Sequence, residues 1–203
     1  MFKSIVKKIL YQINKEKTTK VEKEITYDDK RRKIEFYRQK YGYKLFVESG
    51  TFLGDTIEYF KCNFSFLYSI ELSKELAFRA QKRFAQIGNI KIIHGDSAEV
   101  LKNLINDLKE PALFWLDGHY SSEFYLNGEY FVTAKSDVNT PIEKELDIIL
   151  GSEIRHIILI DDARLFTGEN GYPKVDEIQG KIQISRKKYK ILVDTDIIQL
   201  IHN

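Results

Sequence analysis

The sequence predicts an α/β fold of the doubly wound kind, in which a mostly parallel sheet carries helices on both faces and ends in an antiparallel hairpin. Three observations predict it. From Leu45 onward, short apolar runs alternate with longer stretches of helical periodicity, the pattern of strand–helix–strand units that build a parallel sheet. Those runs are almost continuously apolar, as strands covered on both faces are. The last two runs are separated only by Asp194-Thr195-Asp196, too short for a crossover and suited to a tight turn between antiparallel strands.

The elements follow in order. Strands are expected at 45–47, 66–70, 90–93, 112–116 and 157–160, and the hairpin at 189–193 and 197–201. Helices are expected at 55–62, 73–87, 97–108 and 141–150. Ser73 and Ser97 suit N-caps, and Pro141 after Thr140 suits a first helical turn. The main domain is read as 41–203, preceded by an extension over 1–40. In that extension Phe2, Ile5, Val6, Ile9, Leu10 and Ile13 fall at helical spacing among Lys3, Lys7, Lys8 and Lys15. This basic amphipathic helix either packs on the domain or touches a membrane surface. Residues 16–40 are charge-dense and read as a solvated helix or linker. Residues 121–139 form a long insertion bearing Phe124, Tyr125, Tyr130 and Phe131, which suggests a lid over a substrate.

Composition narrows the function. A chain of 203 residues suits one domain. The 32 basic residues nearly balance the 30 acidic ones, so no electrostatic case exists for dedicated nucleic-acid binding. A single cysteine, Cys62, excludes an internal disulfide framework and a thiolate metal cluster. It reads as core filler rather than nucleophile. No apolar run approaches the ~20 residues that span a bilayer, and no secretory leader pattern opens the chain. The expected setting is the cytoplasm, with peripheral contact to the inner face of the membrane as the sharper reading of the N-terminal helix.

Every parallel strand ends in an acid: Glu48, Glu71, Asp96 (after His94-Gly95), Asp117, and Asp161 with Asp162. In such sheets ligands bind beyond the carboxyl ends of the strands. Five acids on one edge repel each other unless a ligand, hydroxyl or cation offsets them. The first loop reads Glu48-Ser49-Gly50-Thr51-Phe52-Leu53-Gly54-Asp55-Thr56. Its two glycines allow a sharp turn and close approach to a ligand. The dinucleotide fingerprint and the P-loop are both absent. A loop flanked by Glu48 and Asp55 suits a cationic ligand, such as the sulfonium and ammonium groups of S-adenosylmethionine (SAM). Glu71, with Leu72 beside it, can accept both hydroxyls of a ribose. Asp96 with Ser97 can pair with an adenine edge.

The segments 48–56, Ser69-Ile70-Glu71, Gly95-Asp96-Ser97, Trp115-Leu116-Asp117 and Ile160-Asp161-Asp162 resemble the successive motifs of class I SAM-dependent methyltransferases. They most resemble the catechol and macrocin-type O-methyltransferase groups. The resemblance covers about 45–165 and the hairpin. It implies a Rossmann-like, seven-stranded sheet with the last strand antiparallel. It also implies cofactor contacts at Glu48, Gly50, Thr51, Gly54, Thr56, Glu71, Leu72, Asp96, Ser97 and Asp117, with Glu48 and Gly50 near the methionine moiety. It further implies a magnesium ion held by Asp117, Asp161 and Asp162, a hard oxygen set suited to that ion, which would bind adjacent hydroxyls of a small molecule or glycan.

The sequence departs from the catechol group after Asp117, where Gly118-His119-Tyr120-Ser121-Ser122 contains no lysine base. His119 is the natural substitute as base, or else a metal ligand. Arg164 could pair with the double Asp or grip an anionic group of the substrate. His94, His156 and His202 read as structural or surface residues. A metal-independent methyltransferase using His119, a dinucleotide-binding oxidoreductase and a silent cofactor-binding module remain as alternatives, and a homo-oligomer is compatible with all. Nucleobase N-methylation is disfavoured, because no Asp/Asn-Pro-Pro-aromatic motif occurs among Pro111, Pro141 and Pro173.

Overall fold

The computed structural model describes residues 25–118, 123–126, 129–132, 140–185 and 188–202. The elements run α1 (Tyr27–Tyr41), β1 (Leu45–Ser49), α2 (Asp55–Phe60), β2 (Phe66–Glu71), α3 (Lys74–Phe84), β3 (Ile90–His94), α4 (Ser97–Asp107), β4 (Ala112–Leu116), β5 (Glu123–Leu126), β6 (Glu129–Val132), α5 (Ile142–Gly151), β7 (Ile157–Ile160), α6 (Val175–Ile184), β8 (Lys190–Asp194) and β9 (Ile197–Ile201). A 3-10 turn spans Ala163–Leu165 after β7. Seven strands form one sheet in the order β3-β2-β1-β4-β7-β9-β8. The pairs β3–β2, β2–β1, β1–β4 and β4–β7 are parallel, whereas β9 pairs antiparallel with both β7 and β8. The expected mixed sheet and terminal hairpin are both present.

Alternation along the strands divides the core into two layers, since successive side chains point to opposite faces. In β4, Ala112, Phe114 and Leu116 join Leu101 and Leu104 of α4, Leu146 and Ile149 of α5, and Ile178 and Ile182 of α6. Leu113 and Trp115 face the other way, with Ile34 and Tyr37 of α1, Ile57 and Phe60 of α2, and Ala80 and Phe84 of α3. Strand order reverses between β1 and β4, so the ligand crevice of a doubly wound sheet falls at their carboxyl ends.

Several local expectations are corrected. The charge-dense stretch expected as solvated contains α1, which buries Ile34 and Tyr37 completely or nearly so. Its start is a capping box: Thr26 Oγ1 accepts Asp29 N, and the Asp29 carboxylate accepts Thr26 N. The Tyr37 hydroxyl donates to Gln199 Oε1 of β9 at 2.6 Å, and Lys33 pairs with Asp194 of β8 at 2.6 Å. Cys62 is exposed rather than core filler, because it follows the end of α2 in a turn. Ser73 caps α3 as expected, but α4 is capped by Asp96 and not by Ser97. Pro141 occupies the N-cap of α5, one position before the helix, and Thr140 Oγ1 accepts Ile142 N.

The amphipathic segment at 2–15 lies outside the described residues. Within the expected lid at 121–139, β5 and β6 pair as an antiparallel hairpin. The side chains of Phe124, Tyr125, Tyr130 and Phe131 lie outside the described part. No helix among the described residues is long and apolar enough to cross a membrane.

Candidate active site

The parallel ladder continues past the strand ends and positions the site. Gly50 N donates to Ile70 O, Gly95 N to Glu71 O, Asp117 N to Ser49 O and Asp161 N to Leu116 O, all between 2.9 and 3.0 Å. The acids expected at this edge are thus hung from adjacent strands at one level.

On the side of β1, β2 and β3, each acid is held by neutral donors, backbone N–H groups or hydroxyls. Glu71 Oε2 accepts Phe52 N and Oε1 accepts Ser73 N, both at 2.8 Å. Burial raises its pKa, with those N–H groups pulling it down. The Thr51 N–H also draws on this carboxylate, whose roughly four acceptor sites leave room for a ligand hydroxyl. Leu72 follows, half-buried. Asp96 Oδ1 accepts Ala98 N and Glu99 N as the cap of α4, and the Ser97 side chain is buried beside it.

Glu48 is buried beneath the first loop, in a chain in which Ser69 Oγ donates to it and Thr51 Oγ1 meets Ser69 Oγ at 2.6 Å. Burial pushes the Glu48 carboxyl up to about 8; the Ser69 and Thr56 hydroxyls oppose this and the charge on Asp117 adds to it. Glu48 is therefore a buried support under the loop, more than an exposed anion facing a ligand.

The glycines have specific duties. Gly50 has φ +88°, and a Cβ there would stand 2.4 Å from the Asp117 carbonyl oxygen. Gly54 has φ +80°, and its Cβ would stand 2.7 Å from the Phe84 ring. Their absence of side chains serves loop packing as well as the turn. Asp55 is paired with Arg83 at 2.8 Å, and the same guanidinium holds Leu53 O of the loop.

On the side of β4 and β7, the partners are cations. Lys30 of α1 places Nζ 2.6 Å from Asp161 Oδ1 and 3.2 Å from Asp162 Oδ1. Arg164 pairs with Asp162 at 2.7 Å and with Asp196 of the β8–β9 turn. Burial raises the Asp161 pKa and the charge on Asp117 adds to it, while Lys30 opposes. Burial also works against the charge on Lys30, but its two carboxylate partners outweigh that and raise its pKa. Sequence reasoning named the acids and the pairing of Arg164, but missed Lys30.

Beside Asp161, at the ends of β4 and β7, lies a small pocket lined by Leu116, Asp117, Gly118, Thr140, Ile142, Glu145, Ile160, Asp161, Phe166 and Tyr172. Glu145, also missed, is 1% exposed, and burial pushes its carboxyl up to about 7. The Ser97 and Ser49 hydroxyls face it closely enough to oppose that rise. Neither Ser49 Oγ nor Glu145 Oε1 completes a hydrogen bond, although both are buried. Orphaned buried polar atoms at a pocket ask for a ligand or water.

The residues present fit SAM: a two-oxygen acceptor at the end of β2, a capped helix start at Asp96-Ser97, and unsatisfied polar atoms at Ser49 and Glu145. They do not fit the expected divalent ion, because Asp161 and Asp162 already share the Lys30 ammonium. Among the described residues, no three His, Cys, Asp or Glu side chains group to hold a metal ion. His119, the expected base, lies outside the described residues. Of the other histidines, His156 is a core residue whose Nδ1 accepts Ala112 N.

No protein-family model and no curated protein matches the sequence. Solved structures do match. An O-methyltransferase from Bacillus cereus in complex with SAH has a TM-score of 0.54 and 14% identity, over 96% of this chain and 90% of that one. TomG, an O-methyltransferase from Streptomyces achromogenes involved in tomaymycin synthesis and in complex with SAM, has a TM-score of 0.53 and 15% identity, over 84% and 78%. The 23S rRNA methyltransferase ErmE has a TM-score of 0.51 and 14% identity, over 85% and 68%. The chain has the fold shared by these methyltransferases, the Rossmann-like seven-stranded sheet closed by an antiparallel hairpin.

Proposed function

We propose that the chain is a SAM-dependent methyltransferase that methylates a hydroxyl group of a small molecule or glycan. The observation that carries this reading is Glu71. It lies at the carboxyl end of β2, and backbone N–H groups on both sides fix its two oxygens. Fold alone licenses no acceptor, since one fold hosts many chemistries.

In this reading Glu71 accepts the ribose hydroxyls, with Leu72 alongside. Asp96 and Ser97 meet the adenine edge. The loop of Gly50, Thr51, Gly54 and Thr56, braced by Glu48, carries the methionine end. Asp117 borders both the cofactor and the acceptor. The chemistry SAM would supply is an electrophilic methyl group for direct displacement by the acceptor oxygen.

The protein's share is alignment and proton removal. The apolar walls of Leu116, Ile160 and Phe166 limit water around the acceptor, and Asp117 with His119 at the exit of β4 takes the hydroxyl proton. The magnesium expected at Asp117, Asp161 and Asp162 has no place in this scheme, because Lys30 holds two of the three carboxylates.

Isothermal titration with SAH tests the reading. Wild type should bind, and Glu71→Ala should weaken binding at least about tenfold, or about 1.4 kcal/mol. A folded wild-type protein that binds no SAH would overturn it. Hydroxyl-bearing small molecules and sugars are the first acceptors to screen.

A further inference from the structure

We infer that the Lys30 ammonium is the built-in cation of the acceptor half of the site, in the role that a divalent ion held by Asp161 and Asp162 would otherwise fill. The label "acceptor half" rests on the methyltransferase reading; the ion chemistry does not.

Lys30 lies 132 residues from Asp162 in sequence, so this is no local helix pair. Its side chain is 14% exposed, against 4% for Asp161 and 10% for Asp162. The ammonium is delivered by an anchored helix. Positions 30, 34 and 37 share one face of α1; Ile34 is fully buried and the Tyr37 hydroxyl is bonded to Gln199.

The receiving end is equally specific. Asp162 has φ +55°, a left-handed conformation uncommon outside glycine, although Asp adopts it more readily than most residues. Such a conformation persists only where the surroundings over-determine it. Here Lys30 and Arg164 bind its carboxylate, and its own N–H donates to Asp161 Oδ1 at 2.7 Å. Asp161 in turn lines the pocket.

A divalent ion at these carboxylates would stand against a like charge at close range, where repulsion is strong outside bulk water. It would have to expel the ammonium and forfeit both of its bonds. Lys30 is accordingly a positioning residue: it neutralises Asp161 and Asp162 and fixes Asp161 at the pocket wall.

Manganese titrated alone, counted by the paramagnetic signal of the free ion, tests this on the full chain. Wild type and Lys30→Arg should show no binding tighter than about 1 mM. Lys30→Met should bind manganese at least about tenfold more tightly, and adding Asp161→Asn should remove the gain. Tight manganese binding by wild type that Asp161→Asn abolishes would overturn the inference. This arm decides even if Lys30→Met fails to fold. A folded Lys30→Met that gains nothing, or a Lys30→Arg that gains as much, overturns it equally. SAH titrated in parallel separates the two readings. A wild type that ignores both ligands loses the proposed methyltransferase activity, while the manganese comparison still stands or falls on Lys30.

Discussion

The two halves of the strand edge solve the same problem by different means. At β1, β2 and β3, the carboxyl groups of Glu48, Glu71 and Asp96 are satisfied by hydroxyls and backbone N–H groups at the same edge. At β4 and β7, Asp161 and Asp162 are satisfied by side-chain cations, one of them delivered from α1 on a distant part of the chain. Neutral donors leave Glu71 able to take a ligand's hydroxyls as well, since a carboxylate oxygen accepts more than one bond. Cations consume the charge of the second half, so that it presents a neutralised, partly apolar pocket. The first arrangement suits a polar cofactor and the second suits an acceptor that must lose a proton.

Gly50 is where the halves touch, and its replacement should give the largest effect. A Cβ would lie 2.4 Å from the Asp117 carbonyl oxygen, at φ +88°. Left-handed strain and overpacking together should make Gly50→Ala about 3 kcal/mol less stable. For a chain of this size that lowers the melting temperature by about 10 °C. Denaturant unfolding checks it. A loss below about 1 kcal/mol would mean that the halves are not locked together through this contact.

A smaller effect separates the buried acids by pH. Burial holds the Glu48 carboxyl at about 8 and the Glu145 carboxyl at about 7, against 4.5 when unfolded. The folded chain therefore binds more protons than the unfolded chain between these values. Their stabilising contribution is complete below about 4.5 and is lost as the pH rises through about 7 and then 8. Glu48→Gln, which stays neutral, should remove one proton's share of that slope, about 1.4 kcal/mol per pH unit. Denaturant midpoints of both proteins at pH 5, 6 and 7 measure it. Parallel profiles would show that Glu48 is ionised beneath the loop.

The same contrast explains what the sequence made legible. Glu48, Glu71 and Asp96 sit at the ends of apolar runs, beside glycines and serines that mark turns and helix starts, so residue order along the chain exposed that half. Asp161 and Asp162 were visible for the same reason. Their partner was not, because the pairing of Lys30 depends on how α1 docks on the sheet. The signal was nonetheless present: Lys30, Ile34, Tyr37 and Tyr41 recur at helical spacing behind a Thr26-x-x-Asp29 capping box, and high charge density masked it. Helix α6 was missed for a related reason. Its buried face is only Ile178 and Ile182, beside Gly180, too narrow an apolar stripe to stand out. Glu145 read as one charge among several on α5, and only packing against Ser49 and Ser97 reveals it as buried.

The smallest expected effect tests whether the two cations of the second half are equivalent. Arg164 also binds Asp162, but its side chain is 60% exposed, against 14% for Lys30. Water and salt screen a pair so exposed, and its contribution should be about 0.5 kcal/mol or less. Arg164→Ala should therefore scarcely move the unfolding midpoint, and at about 1 M salt the difference should vanish, since the screening length there is about 3 Å. Lys30→Met should remain destabilising at the same salt, because it strands two buried carboxylates together without their shared donor. If Arg164→Ala costs more than about 2 kcal/mol, or if salt erases the effect of Lys30→Met as well, the division between a buried cation and a solvated one fails. The neutralisation of Asp162 would then belong to Arg164 as much as to α1.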